Sequence, residues 1–154
     1  MRPKLEYNTS VWSPSLQQDI DKIEKVQHRY TKSICRRCNI PFSCYEDRLL
    51  KLNLISLEDR RIRYDLINLF KIANNLSDLD FNSFFSFQNN SHNLRRQTIT
   101  PKFCSKNKTW HGSFFERATR YWNRLDPNIK ATKSLDVFKN NLKLINYKLL
   151  KTVY

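Results

Sequence analysis

The chain has 154 residues, 40% of them hydrophobic, and carries 28 Lys and Arg against 14 Asp and Glu, a formal net charge of +14. This apolar content is enough to build a core and excludes a disordered tail, and a single glycine argues against a turn-rich β protein. No apolar run approaches the ~20 residues that span a bilayer and no signal peptide is visible, so we expect a cytoplasmic or nuclear protein. The excess of positive charge favours nucleic acid as a partner, ahead of an anionic membrane surface.

The first predicted element is an amphipathic helix over residues 16–37. Its apolar positions recur at helical spacing and form one stripe: Leu16, Ile20, Ile23, Val26, Tyr30 and Ile34. Five cations fall on the opposite face: Lys22, Lys25, Arg29, Lys32 and Arg36. Such a face is either an ordinary solvent-exposed surface or a surface that contacts a row of phosphates, and the helix alone does not distinguish the two.

Two further helices are predicted within a helical region that covers residues 1–76. Ser43 and Ser56 each have an acidic residue three positions later, which is the spacing of a capping box and predicts a helix start. The second of these helices runs from residue 57 to about residue 74. Three cations lie beside its apolar face: Arg60, Arg61 and Arg63.

A basic polar linker is predicted over residues 77–113. Arg and Lys occur five times between Phe81 and Phe115, and no acidic residue occurs there. Residues 74–93 are expected to form an irregular loop that phenylalanines anchor. Residues 97–103 contain β-branched side chains, and Pro101 limits them to an edge strand. We therefore predict a short β-hairpin near residues 97–110.

A C-terminal helical region is predicted over residues 114–154. Its first helix must stop near Asp126 because Pro127 follows, and Ser134 is expected to cap a last helix. Three cations form a stripe beside the apolar positions of the first helix: Arg117, Arg120 and Arg124. The expected fold class is mainly α, a small bundle of about five helices with one short hairpin.

Catalytic patterns are sparse in this sequence. Polymerase chemistry needs clustered carboxylates that hold two metal ions. The adjacent acids Glu46–Asp47 and Glu58–Asp59 lie in the first turns of predicted helices, where capping explains them better. We therefore expect no enzymatic activity from this chain on its own, and no cofactor.

Four cysteines raise the alternative of a structural zinc site. Cys35 and Cys38 form a CxxC pair, and the remaining soft ligands are Cys44 and Cys104, with His92 or His111 as substitutes. A second CxxC or an HxxxH is missing from the sequence. The other interpretation is reduced thiols in a cytosolic or nuclear protein.

Several segments of the chain, taken in order, resemble a known family. They are RPKLEY with VWSP, DIDKIEKVQHRYTK, YEDRLLKLNLISLEDRRIRYDLINLFKI and FFERATRYWNRLDPNIKATKSLDVFKNNL. The most specific positions are Phe114, Phe115, Arg117, Trp122, Asn123, Leu125 and Pro127. This pattern resembles the region that follows the catalytic palm in reverse transcriptases of non-LTR (LINE-type, jockey-like) retrotransposons. The palm's Ala-Asp-Asp motif is missing from this chain.

The resemblance implies a helical thumb and C-terminal extension that hold the RNA and DNA of a template–primer duplex beside the palm and fingers of the polymerase. On this interpretation the chain is a fragment of an RNA-directed DNA polymerase from a transposable element. The nucleic-acid-binding residues would be Lys22, Lys25, Arg29, Lys32, Arg36, Arg60, Arg61, Arg63, Arg117, Arg120 and Arg124. The alternative is a basic helical module that docks acidic proteins or has a structural role. Membrane binding is weaker, because the apolar faces are needed for a core.

Overall fold

The structure, a computed structural model, describes residues 5–88, 98–102 and 112–151. Within these ranges the helices are α1 (Gln17–Arg37), α2 (Tyr45–Lys51), α3 (Leu57–Ala73), α4 (Phe81–Phe84), α5 (Phe114–Arg124), α6 (Pro127–Lys130), α7 (Leu135–Leu144) and α8 (Tyr147–Lys151). Strands β1 (Phe85–Gln88) and β2 (Thr98–Pro101) form a two-stranded antiparallel sheet. The predicted fold class, mainly helical with a small hairpin, is confirmed. None of the described helices has both the length and the apolarity needed to cross a bilayer.

The chain divides into two compact units, and the division falls inside α3. Unit 1 contains residues 1–8 and 14–61, and unit 2 contains residues 9–13 and 62–154. The described part of the predicted linker over residues 77–113 contributes Phe81, Phe85 and Ile99 to the core of unit 2. The predicted three-part division with boundaries at residues 76 and 113 stays a prediction.

Unit 1 is built from α1, α2 and the first turn of α3. Helix α1 has the predicted extent to within one residue, and Asn39 follows it in the left-handed conformation, with φ 51°. Asn53 does the same after α2, with φ 50°. Asparagine tolerates this conformation better than most residues, which is why it ends helices so often.

The buried face of α1 differs from the predicted stripe. The residues of this helix that are buried are Gln27, Thr31 and Cys35, whereas Leu16 and Tyr30 are 66% and 55% exposed. The Gln27 amide explains the shift, because its Nε2 donates to the Tyr45 hydroxyl and to the Ile55 carbonyl, each at 3.0 Å. The prediction that Leu16 and Tyr30 face the core was therefore wrong.

The N-cap of α3 is the predicted residue, and that of α2 lies one residue later than predicted. The backbone N–H of Asp59 donates to Ser56 Oγ at 3.0 Å, which confirms the predicted cap of α3. At the start of α2 the N-cap is Cys44 rather than Ser43, and its Sγ accepts from the Asp47 N–H at 3.4 Å. Helix α2 therefore begins one residue later than the capping-box pattern predicted.

The core of unit 2 joins α3 to the C-terminal helices. Ile62, Leu66, Leu69 and Phe70 of α3 are buried, as their spacing predicted. The Phe70 ring stacks on Phe138 of α7 with centroids 4.3 Å apart. The other buried apolar residues of the C-terminal helices are Ala118, Trp122, Leu125, Leu142, Tyr147 and Leu150. Burial of this much apolar surface is the main favourable term in the stability of the unit.

The hairpin is placed partly where the sequence predicted it. Strand β2 lies within the predicted strand region, and Phe85 of β1 pairs with Pro101. The prediction of an irregular loop over residues 74–93 was wrong at residues 85–88, which form β1. Phe85 is fully buried and alternates with Ser86, whose hydroxyl lies 2.8 Å from Thr100 Oγ1. Residues 103–110 of the predicted hairpin lie outside the described residues.

Candidate nucleic-acid interface

A row of five exposed cations runs along α1: Lys22, Lys25, Arg29, Lys32 and Arg36. Their sequence spacing alternates between three and four residues, so they occupy about 80° of the helix circumference and about 21 Å of its length. We call this row the α1 cation face. The prediction that these five side chains point outward is confirmed.

Most of the α1 cation face is not neutralised by neighbouring acids. Lys25, Arg29, Lys32 and Arg36 make no ion pair with any residue that the structure describes. Lys22 Nζ lies 2.9 Å from Asp19 Oδ1, but both side chains are largely in solvent, where such a pair contributes at most about 1 kcal/mol. The face therefore keeps the positive charge that attraction of a polyanion requires.

The acid nearest the middle of α1 points inward instead. The Glu24 carboxylate accepts from the backbone N–H of Leu57, with Oε2 at 3.0 Å, and from the Tyr45 hydroxyl. Leu57 is the first residue of α3, so Glu24 lies at the positive end of that helix dipole. Burial, followed by the hydrogen bond to Glu24, raises the pKa of Tyr45 above its ordinary value. Glu24 is thus engaged inside unit 1 and does not compensate the cation face.

Further inward contacts fix the rotation of α1 about its axis. Arg48 of α2 is 3% exposed, and its Nε donates to Thr31 Oγ1 at 3.4 Å. Its guanidinium lies 4.9 Å from the centre of the Phe42 ring and 5.4 Å from that of Tyr45, within the range of cation–π attraction. Together with the Gln27 hydrogen bonds, these contacts hold the opposite face of α1 toward solvent. Sequence reasoning missed Arg48, and no local pattern distinguishes it from an exposed arginine.

His28 lies at the edge of the α1 cation face. Its ring centroid is 4.7 Å from that of Tyr45. Desolvation lowers the pKa of His28, and the positive charges of Arg48 and Lys32 lower it further. Glu46 and Glu24 act in the opposite direction, so the lowered pKa follows from burial and the two cations together.

The arginines at the start of α3 are engaged with the protein itself. In unit 1, Arg60 forms a two-point ion pair with Glu6, with Nη2 2.9 Å from Oε2. Arg61 is 4% exposed, and its Nη2 lies 3.4 Å from the Leu5 carbonyl oxygen. The prediction that Arg61 lies on a nucleic-acid-binding surface is wrong, because the side chain is buried. In unit 2, the half-buried Arg63 donates to the carbonyl of Lys139 at 3.3 Å.

The arginines of α5 do not form a single exposed stripe. Arg117 is 4% exposed and pairs with Asp65, and its guanidinium also donates to the carbonyls of Thr9 and Gly112. The prediction that Arg117 contacts nucleic acid is wrong for the same reason as for Arg61. The exposed α5 arginines are Arg120, whose guanidinium lies 5.3 Å from the Tyr121 ring centre, and Arg124, which donates to the Leu150 carbonyl at 2.7 Å.

The Trp-Asn-x-Leu-x-Pro run has a structural role in unit 2. Trp122 and Leu125 are buried in the core, and Pro127 begins α6. Asn123 binds the backbone of β2 at one residue: its Nδ2 donates to the Ile99 carbonyl at 2.8 Å, and its Oδ1 accepts from the Ile99 N–H at 3.0 Å. The side-chain amide thus satisfies both backbone groups of a strand residue at the edge of the sheet.

Metal ligands are not brought together in the part of the chain that the structure describes. Cys35 is buried, Cys38 and Cys44 are exposed, and all three are free thiols. No group of three or more His, Cys, Asp or Glu that could hold a metal ion occurs within residues 5–88, 98–102 and 112–151. Cys104, His92 and His111 lie outside these ranges. The predicted zinc alternative therefore stays a prediction.

Comparison with known proteins gives one weak relative. An uncharacterised protein of Caenorhabditis elegans is 31% identical over 62 residues, which are 40% of this chain and 31% of that protein. The match thus spans about a third of the relative's length, and the relative's name assigns no activity. No family model matches the chain, and no solved structure matches it.

Proposed function

We propose that this chain is a non-catalytic nucleic-acid-binding region that holds a template–primer duplex through the α1 cation face. The observation that carries the proposal is the row of exposed cations, four of which have no acidic partner among the described residues. Contacts of Glu24, Gln27 and Arg48 on the inward side of α1 hold this row outward. The proposed context is the part of a non-LTR retrotransposon reverse transcriptase that follows the palm, which rests on the order and spacing of the motifs in the sequence.

A duplex backbone suits the α1 cation face better than a single strand does. Proteins that hold single strands combine cations with aromatic platforms on which bases stack. Tyr30 is the only Phe, Tyr or Trp of α1, and it lies about 120° around the helix from the middle of the row. A row of cations on one helix face also has no geometry for reading base edges, so contact with sugar-phosphate is expected to be independent of sequence.

The proposal assigns no chemistry to the described residues. Several of their carboxylates already have a structural role: Glu24 accepts from the start of α3, Asp47 is paired with Lys51 at 3.0 Å, and Asp65 is paired with Arg117. Nucleotide transfer would belong to a palm elsewhere in the polymerase, because clustered carboxylates must hold its two metal ions.

A charge-reversal variant tests the proposal. The full-length chain is titrated into fluorescein-labelled RNA–DNA heteroduplexes of two unrelated sequences, and anisotropy gives the dissociation constant. We expect the two sequences to bind equally, and the combined variant Lys25→Glu, Arg29→Glu and Lys32→Glu to bind about 100-fold more weakly. Circular dichroism checks that the variant is folded, since these three side chains are exposed.

The matched control places the same charge change on unit 2. Lys133→Glu, Lys139→Glu and Lys143→Glu also lower the net charge from +14 by 6, to +8. We expect this control to lose less than about five-fold in affinity, because only the general field of the protein changes. Equal losses in the two variants would mean that binding depends on net charge, and the α1 cation face would have no special role.

A second candidate is a basic module that docks an acidic protein. Its support is a set of exposed apolar side chains on α7 and α8, where Val137, Leu144 and Leu149 are 49%, 87% and 72% exposed. Exposed apolar side chains close to cations are common at protein interfaces. Competition distinguishes the candidates: polyglutamate at equal charge concentration should displace the heteroduplex poorly if the duplex backbone is the ligand, and efficiently if an acidic protein is.

A further inference from the structure

Unit 2 contains a pocket of about 440 Å³, and no residue of the α1 cation face is among the described residues that line it. Its apolar wall is formed by Val11, Ile72, Leu79, Phe114 and Phe115. Pockets of this size with mainly apolar walls and a few polar groups are typical of small-molecule sites. At about 30 Å³ for each water-sized unit, the space admits about ten to fifteen non-hydrogen atoms.

The polar groups of the pocket wall fall into two sets. Asn68 Nδ2 donates to Ser10 Oγ at 2.8 Å, and Ser113 Oγ accepts from the Glu116 N–H, so these groups already have partners within the protein. Ser77 Oγ is buried and has no hydrogen-bond partner among the described residues. Because this oxygen has almost no accessible surface even from the pocket side, it offers a ligand no hydrogen bond without a change of rotamer, and Lys71 is the polar group of the wall that remains available.

The described residues of the pocket wall carry positive charge and no negative charge. Lys71 is the charged residue of the wall, and no acidic side chain is among the described residues that line it. Its ammonium makes no ion pair with any described residue. An anionic group on a ligand would therefore find an available cation at the edge of an apolar cavity.

We propose that this pocket binds a small amphipathic carboxylate, with its hydrocarbon body against Phe114, Phe115 and Ile72 and its carboxylate on the Lys71 ammonium. The apolar wall supplies affinity by removing hydrocarbon surface from water. The ammonium supplies selectivity for the acid over the corresponding alcohol, because charge-assisted hydrogen bonds are stronger than neutral ones. This site is independent of the proposed function of the α1 cation face.

The test uses decanoate and decanol as probes, with isothermal titration calorimetry on the full-length chain. We expect decanoate to bind with one-to-one stoichiometry and about ten-fold more tightly than decanol. The variant Lys71→Met should weaken decanoate binding about ten-fold and leave decanol binding unchanged. The matched control Lys143→Met removes an exposed lysine that does not line the pocket, and it should change neither affinity.

Two further variants test whether decanoate binds in the pocket itself. Leu79 is 47% exposed, so Leu79→Glu should preserve the fold while it blocks the pocket and abolishes decanoate binding. The combined reversal of Lys25, Arg29 and Lys32 to Glu should leave decanoate binding unchanged. The absence of saturable decanoate binding, equal binding by the Lys71→Met variant, or loss of binding in the α1 reversal would each overturn the proposal.

Discussion

The guanidinium of Arg117 lies on the carboxylate of Asp65 inside unit 2, with Nε 3.1 Å from Oδ2 and Nη2 3.4 Å from Oδ1. The two side chains are 5% and 2% exposed, so this is a buried ion pair. It joins α3 to α5 across 52 residues of sequence. Removal of one partner takes a counter-charge away from a buried ion, which is more costly than loss of the pair as a whole.

We predict that Arg117→Met alone lowers the free energy of unfolding by about 3–5 kcal/mol, because the Asp65 carboxylate stays buried and loses the Arg117 guanidinium. Urea denaturation followed by circular dichroism measures the change. The double variant Asp65→Leu with Arg117→Met should recover a large part of the loss. A double variant as unstable as the sum of the two single variants would show that the two residues are not coupled.

Asn123 should contribute to stability through the β2 backbone. We predict that Asn123→Ala lowers the free energy of unfolding by about 1–3 kcal/mol, because the N–H and carbonyl of Ile99 lose their partner. The more specific readout is amide hydrogen exchange, in which the Ile99 N–H should lose protection more than the N–H groups of α7. Unchanged protection of the Ile99 N–H would show that Asn123 does not stabilise β2.

Glu24 should stabilise the start of α3. The variant Glu24→Ala leaves the Leu57 N–H and the Tyr45 hydroxyl without their acceptor, and we predict a loss of about 1–3 kcal/mol in the free energy of unfolding. Chemical denaturation of the full chain measures it. The control is Asp21→Ala, which removes an exposed acid of the same helix and should change stability by less than about 0.5 kcal/mol.

His28 should make stability fall in mild acid. Its pKa in the folded chain lies below the unfolded value of 6.5, so the unfolded state binds the proton more readily. Stability is therefore insensitive to this group above about pH 7 and declines as the pH falls through 6.5 toward the folded pKa. We predict that the urea midpoint drops less between pH 7.5 and 5.0 in His28→Gln than in the natural chain. Identical drops would contradict the lowered pKa.

Regular periodicity predicted most of the helices and the core of unit 2. In α3 the positions of Ile62, Leu66, Leu69 and Phe70 follow the 3.6-residue period and are buried, and the helix bounds agree to within a residue. In such a segment the apolar pattern and the burial coincide, because the partners are also apolar. Local sequence is then sufficient to predict which residues of the helix are buried.

Burial of polar side chains was not predictable from the same pattern. Gln27 and Arg117 look like surface residues in a helical projection, and each is buried where a partner distant in sequence accepts from its N–H groups. The acceptor is the Ile55 carbonyl for Gln27 and the Asp65 carboxylate for Arg117. Burial of a polar group without such a partner would be unfavourable, so the outcome depends on tertiary contacts. The outward direction of the α1 cations was predictable, because no buried partner distant in sequence competes for them within the part of the chain that the structure describes.

The salt dependence of binding tests the role of the α1 cation face most directly. The dissociation constant for an RNA–DNA heteroduplex is measured from 50 to 200 mM KCl for the natural chain and for the variant with Lys25, Arg29 and Lys32 all changed to Glu. Four cations without acidic partners among the described residues predict a slope of log K against log salt of about −3 to −4, and the variant should fall to about −1 or show no measurable binding. The same slope in both proteins would contradict the account.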